Sequence, residues 1–480
     1  MNRQIRTLAT ALMVLFGALF AQVNYLQIFK AKELNDHPLN NRAILRDYAR
    51  PRGVIQTADG AVLARSTPVD TEFERLRQYP EGALFAHITG HFSFTYGAEG
   101  VERRYNDELV GRDQELELKD LGDLLVKKER IGDVTLTLSK RLQQVAAEQL
   151  GQRKGAVVAL DPTTGAILVM ADYPSYDPNL LSGHDDAAVR AAREQLLADP
   201  DQPLLARAYR ERYFPGSSFK VVTAAVALAT GAATTSQPVF PTMSALPLPN
   251  SGGQSLANFG GGSCGGNLVD ALRVSCNTAF AQLGMDMGAD KLSSGAAQFG
   301  FGKSPPIDLP SPAESVFPPA SEFSRDLPGL AKSAIGQQDV SATPLQMALV
   351  AGAIANNGVI MTPHVLSEVR DAEGNVVERY DPKPWMTAVS PDVAATVKAM
   401  MVNVVNAGTG TAARIPGVEI GGKTGTAQTG LNTTHVWFIA FAPKIAVAVM
   451  LENIPVRDEA TGGTVAAPIA KAVMQAALGG

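Results

Sequence analysis

Residues 7–29 carry no charge, and they follow directly on Arg3 and Arg6. The centre of the stretch, Leu8-Ala-Thr-Ala-Leu-Met-Val-Leu-Phe-Gly-Ala-Leu-Phe-Ala21, is apolar. A helix of roughly 20 such residues crosses the hydrocarbon core of a bilayer. Inside a bilayer a lone segment can only be helical, because its backbone polar groups must be satisfied within the segment. The arginines on its N-terminal flank favour a cytoplasmic N-terminus, with the remainder of the chain outside the cell membrane. A cleaved signal peptide is the competing reading. Against it, Leu19 stands where cleavage before Gln22 calls for a small residue, so residues 1–29 read as a cytoplasmic tip and an uncleaved anchor. No second long apolar run follows, so a single span is expected.

The 480 residues are too many for one typical core, and 45% apolar with 19% charged residues is an ordinary globular composition. A formal charge of −5 argues against a general nucleic-acid binder. The six histidines show no HExxH spacing, and Cys264 and Cys276 form no CxxC pair, so neither a metal nor a cofactor is expected. Residues 30–50 are polar and read as a stalk. Val54-Ile55, the Asp59-Gly60 turn and Val62-Leu63 read as a hairpin. Residues 112–130 are densely charged and read as an exposed helix. Residues 133–138 alternate like a strand, and 141–150 have helical spacing. Residues 30–150 are therefore assigned to a small α+β pedestal domain.

A larger domain, 151–480, opens with Gly155-Ala-Val-Val-Ala-Leu160, the turn Pro162-Thr-Thr-Gly165 and the strand 166–171. Three further strands are expected at 418–427, 436–442 and 445–451, and a closing helix at 466–478. Strands at both ends with mostly helix and loop between them predict one antiparallel sheet covered by helices, with a helical insert, in the α+β class.

Three short constellations carry chemistry. In Phe214-Pro-Gly-Ser-Ser-Phe-Lys220 the turn leads into an apolar helix, so Ser217 stands at a helix start and Lys220 shares its face. A serine hydroxyl needs a base within hydrogen-bond reach, and a lysine held neutral by burial or a nearby cation is one. The helix start also offers free backbone N–H groups for an oxyanion. Alone this is weak, because an SxxK spacing arises by chance about once or twice in such a chain. In Val274-Ser-Cys-Asn277, Ser275 and Asn277 bring a hydroxyl and an amide together from one loop, a pattern that taken alone is an ordinary helix cap. In Ile420-Gly-Gly-Lys-Thr-Gly-Thr-Ala427 the glycines let a ligand approach the strand backbone, and Lys423 with Thr424 suits a carboxylate. Chance yields Lys-Thr-Gly roughly 0.1 times in this length. Gly417, Gly422, Lys423 and Thr424 also match the phosphate-loop spacing, but no long helix follows, which argues against a nucleotide site.

Ser217-Ser-Phe-Lys220, Ser275-Cys-Asn277 and Lys423-Thr-Gly425, in that order, resemble the signature set of penicillin-binding proteins and serine β-lactamases. The flanks sharpen the likeness. Arg52-Gly-Val-Ile55, Gly100-Val-Glu-Arg-Arg-Tyr-Asn106, Leu160-Asp-Pro-Thr-Thr-Gly165, Ala334-Ile-Gly-Gln337, Thr343-Pro-Leu-Gln346 and His435-Val-Trp-Phe438 look like class B, monofunctional transpeptidases, nearest to penicillin-binding protein A of actinobacterial type. The resemblance implies a penicillin-binding-protein transpeptidase fold over 151–480 above the pedestal. It implies a D,D-transpeptidase acting in cell-wall synthesis and cell division and inhibited covalently by β-lactams. Ser217 would be the acylated nucleophile, Lys220 the general base, Ser275 a proton relay and Asn277 a holder of the peptide amide. Lys423, Thr424, Gly425 and Thr426 would bind the substrate, with the backbone N–H groups of Ser217 and Thr426 as the oxyanion hole. The implied partners are D-Ala-D-Ala stem peptides, an amine acceptor, β-lactams, the membrane and a SEDS-type glycan polymerase. Trp437 and Gln337 match the family too and are assigned to packing.

Cys276 replaces the aspartate of the Ser-Asp-Asn form typical of class A β-lactamases, which speaks against hydrolysis. Outside the membrane it is also a candidate for a disulfide with Cys264, two free thiols being the alternative. A D,D-carboxypeptidase, a β-lactam hydrolase and a non-catalytic divisome scaffold remain the rival functions. A β-lactam sensor lacks a cytoplasmic effector.

Overall fold

The computed structural model describes residues 2–28, 30, 48, 50–111, 131–430, 432–456 and 460–479. The charged run 112–130 and nearly all of the stalk lie outside the described residues. The chain divides into two compact units, residues 1–51 with 67–76, and residues 52–66 with 77–480. In the first, helix α1 spans Asn2–Ile28. Among the described residues it contains the one segment, Arg3–Leu26, long and apolar enough to cross a membrane. Its Met13, Phe16 and Phe20 are exposed.

The first sheet contains β1 (Ile55–Gln56), β2 (Val62–Pro68), β3 (Arg75–Gln78) and β4 (Asp133–Leu136). Asp59-Gly60 turns the chain from β1 back into antiparallel β2, with Gly60 at a φ of 81°. Two strands from far downstream, Leu366–Arg370 and Val376–Arg379, join the same sheet, the former pairing antiparallel with β4. Sequence patterning read the 366–379 region as helix and loop. A short strand such as β4 leaves an open backbone edge, and pairing across more than 200 residues closes it.

Arg52 and Glu102, each in one of the quoted flank motifs, meet at the heart of this layer. Glu102 is fully buried between Arg52 (2.6 Å) and Arg77 (2.6 Å), and Arg52 also donates to Asn106 Oδ1 at 2.8 Å. Burial alone would raise the Glu102 carboxyl, but the two guanidinium groups hold it below the ordinary glutamate value.

The second sheet has five strands. Helix α2 (Lys140–Leu150) precedes β5 (Gly155–Leu160) and β6 (Ile167–Tyr173). The chain returns to the sheet only with β7 (Gly421–Gln428), β8 (Thr433–Ala442) and β9 (Ile445–Pro455). The order is β7-β8-β9-β5-β6, antiparallel throughout, with β7 on one edge. In β5, Val157 and Ala159 face one apolar cluster with Leu142, Leu150, Val473 and Met474, while Ala156, Val158 and Leu160 face another with Leu349, Val397 and Met401. Both faces are covered, which is why β5 reads as a continuous apolar run rather than an alternating one. Helix α2 thus packs on the second sheet, together with the closing helix Ala467–Leu478.

Candidate active site

The apolar helix Lys220–Ala229 follows a tight turn, Gly216–Phe219, of three residues per turn. That pitch places Ser217 and Lys220 directly above one another. The turn is held from three sides. Gly216 N–H donates to Gly336 O at 2.8 Å. The Trp437 indole N–H donates to Phe214 O at 2.9 Å. The Ser218 hydroxyl donates to Pro215 O at 2.7 Å. Trp437, fully buried, therefore packs directly beneath the turn that carries Ser217.

Gly336, from the Ala334-Ile-Gly-Gln337 motif, has a φ of 74°, and a Cβ there would stand 2.2 Å from Gly216 O. Gly336→Ala is therefore expected to cost about 3 kcal/mol in a thermal or urea melt, from the left-handed backbone and the overlap together. It should also slow the chemistry at Ser217. An unchanged melting temperature would mean that the turn does not need this contact.

Ser275 lies at a φ of 60°, a left-handed conformation unusual for serine and often found at functional sites. It sits between the helix Leu268–Arg273 and the helix Asn277–Met287. Lys220 Nζ donates to Ser275 O at 2.8 Å and to Asn277 Oδ1 at 2.7 Å, and lies 3.4 Å from Ser275 Oγ. Lys423 Nζ donates to the same Ser275 Oγ at 2.8 Å and to Thr424 O at 2.9 Å. The second and third constellations, 148 residues apart, thus meet on one hydroxyl, and the base of the first joins them. The Ser217 hydroxyl itself has no hydrogen-bond partner among the described residues; such bonds commonly tighten only when substrate binds.

Lys423, Thr424, Gly425 and Thr426 lie on β7, the sheet edge, where half of the backbone groups point away from the neighbouring strand. A Cβ on Gly425 would come within 2.8 Å of Pro215 O and 3.2 Å of Ser218 N, so glycine is what lets the strand lie against the nucleophile turn.

Both lysines are fully buried, and neither has a carboxylate partner among the described residues. Burial pushes the Lys220 ammonium well below its ordinary value, and the charge of Lys423 adds to the shift. Burial lowers Lys423 to about 7. The site thus holds one lysine suited to accept a proton and a second whose charge awaits an anion.

Cys264 and Cys276 are joined as a disulfide closing a loop of sequence separation 12. Without reductant, alkylation should leave the intact mass unchanged; a gain of two labels would refute the bridge. Reduction is expected to lower stability by about 2–3 kcal/mol, from the closed-loop entropy.

Sequence reasoning missed Asn258. Its buried amide donates to Met243 O (2.8 Å) and Gly262 O (3.0 Å), and its oxygen accepts from Thr278 N–H (3.0 Å). It ties the glycine-rich loop to the helix that begins at Asn277. A lone asparagine before Phe259-Gly-Gly-Gly carries no signal for this, because its partners are backbone groups of three separate segments.

A Penicillin binding protein transpeptidase domain is matched over residues 155–475 and a Penicillin binding protein A dimerisation domain over residues 52–134. The chain belongs to the class B penicillin-binding-protein transpeptidases. It is 42% identical to the peptidoglycan D,D-transpeptidase PbpA of Mycolicibacterium smegmatis, over 100% of this chain and 99% of that protein. To the PbpA of Mycobacterium tuberculosis strain H37Rv it is 41% identical, over 100% of each chain. The imipenem acyl-enzyme of penicillin-binding protein A from M. tuberculosis matches the fold with a TM-score of 0.83 and 40% identity, over 90% of this chain and 100% of that one. The penicillin G acyl-enzyme of the same protein gives 0.82 and 40%, over 89% and 100%.

Proposed function

We propose that this chain is a serine D,D-transpeptidase that cross-links peptidoglycan stem peptides and is acylated by β-lactams. The observation that carries the reading is the convergence of the three constellations, with Lys220 bonded to Ser275 and Asn277 and Lys423 bonded to Ser275. Lys220, whose hold on its own proton burial weakens, takes the Ser217 proton as its oxygen attacks the carbonyl between the terminal D-alanines. The backbone N–H groups of Ser217 and Thr426 receive the oxyanion. Ser275, bridging the two lysines, passes a proton to the departing D-alanine amine. Asn277 orients the donor peptide, and Lys423 with Thr424 receives its carboxylate. The side-chain amine of a second stem peptide then takes the acyl group and frees Ser217. No metal or cofactor is needed for these steps.

The assigned domains are an anchor at 1–29, a pedestal at 30–150, whose closing helix α2 packs on the second sheet, and a transpeptidase domain at 151–480, with the N-terminus inside and the catalytic domain outside the membrane. Membership of the family implies a role in cell division and a SEDS-type glycan polymerase as partner. Incubation of the full chain with paired donor and acceptor stem peptides tests the reaction. Cross-linked product is the expected result, and release of D-alanine alone would make the enzyme a carboxypeptidase.

A further inference from the structure

Thr409 lies on the turn Gly408-Thr-Gly410, just past the helix Pro391–Ala407. Its N–H donates to Arg273 O at 3.3 Å, on the segment leading to Ser275. A Cβ on Gly408 would meet the same carbonyl at 2.3 Å, and one on Gly463 would meet Thr409 O at 2.5 Å. The turn is therefore wedged between the segment carrying Ser275 and the residues after β9. From there the Thr409 hydroxyl reaches Thr424 Oγ1 at 2.8 Å. Lys423 Nζ approaches the same Thr424 oxygen at 3.4 Å.

A hydroxyl has one hydrogen to give and two lone pairs. A carboxylate only accepts, so Thr424 must give it its hydrogen. Thr424 then has nothing to give Thr409, and Thr409 must be the donor in their mutual bond. With one lone pair turned to Thr409 and the other towards Lys423, the Thr424 hydrogen has one direction left, outward to the ligand. Bonds in such a chain polarise one another, and the last of them is charge-assisted.

We propose that Thr409 is a positioning residue for the substrate carboxylate, acting through Thr424 by fixing which way its hydroxyl donates. The inference rests on the carboxylate-binding role given above to Lys423 and Thr424. The probes are penicillin G and its methyl ester, and the readout is the second-order rate of Ser217 acylation in the full chain. Thr409→Val keeps the shape and removes the hydroxyl; Thr409→Ser keeps the hydroxyl. Thr409→Val should slow the acid about tenfold, the worth of one bond in a charged chain, and leave the ester unchanged. Thr409→Ser should restore the acid rate. Equal slowing of acid and ester would mark a merely structural residue and overturn the proposal, as would no slowing at all. A parent that reacts equally fast with acid and ester would remove the carboxylate pocket itself and the proposal with it. A parent that does not react would instead remove the transpeptidase reading.

Discussion

Ser217→Ala is expected to abolish covalent labelling by a fluorescent penicillin, with acylation falling on the order of a million-fold, the scale on which loss of a serine nucleophile is felt. Stability should stay within about 0.5 kcal/mol of the parent, because the half-buried hydroxyl gives up no hydrogen bond among the described residues. That separation of chemistry from folding makes the experiment decisive. A labelled variant would move the nucleophile elsewhere, Ser218 being the first neighbour to examine, although its hydroxyl is committed to Pro215 O. An unlabelled but well-folded parent would bring the scaffold reading forward.

The second large effect is at Lys220. Lys220→Met and Lys220→Arg should each slow acylation about a thousand-fold, the middle of the range for a general base, the arginine because it keeps the charge and cannot give up its proton. The pH profile follows from the two lysines. Lys220 serves as base only when neutral, so the rate rises as pH climbs through its folded value, which burial and then the Lys423 charge hold well below the ordinary 10.5. Lys423 attracts a carboxylate only when charged, so the attraction weakens as pH rises through about 7. Penicillin G acylation should therefore pass through a maximum and decline above neutrality, whereas an ester lacking the carboxylate should lose the declining limb. The same limb in both substrates would detach it from Lys423.

The buried lysines also bear on stability. Each binds its proton more weakly folded than unfolded, so the unfolded chain holds more protons between the folded value and 10.5, and stability increases with pH across that window. Optimal folding thus pulls towards higher pH than carboxylate binding does.

Much of this was legible in the chain. The uncharged run at 7–29, the continuous apolar strand Gly155–Leu160, the glycine-rich segment up to Ala427 and the apolar runs after it depend only on local pattern, and they appear as α1, β5, β7, β8 and β9. Ser217, Lys220, Ser275, Asn277 and Lys423 could be singled out because short spacings carry intrinsic chemistry. What spacing cannot express is which hydroxyl a buried lysine chooses. Lys220 and Lys423 meet on Ser275, and the Ser217–Lys220 pair suggested by spacing forms no hydrogen bond here.

Three things were decided only by the tertiary structure. The strands at 366–379 join a sheet begun at residue 55, since an open edge takes any complementary partner regardless of separation. Gly336 and Gly425 matter because a neighbouring backbone leaves no room for a Cβ, which a one-dimensional pattern does not contain. Thr409 acquires meaning from a 2.8 Å contact with a residue on another element. The sequence by itself determined the long apolar elements, among them the N-terminal helix, and the candidate reactive groups, because these follow from residue chemistry and short-range period. The folded chain decided how tightly the two lysines hold their protons, since burial lowers both and the charge of Lys423 adds to the shift at Lys220.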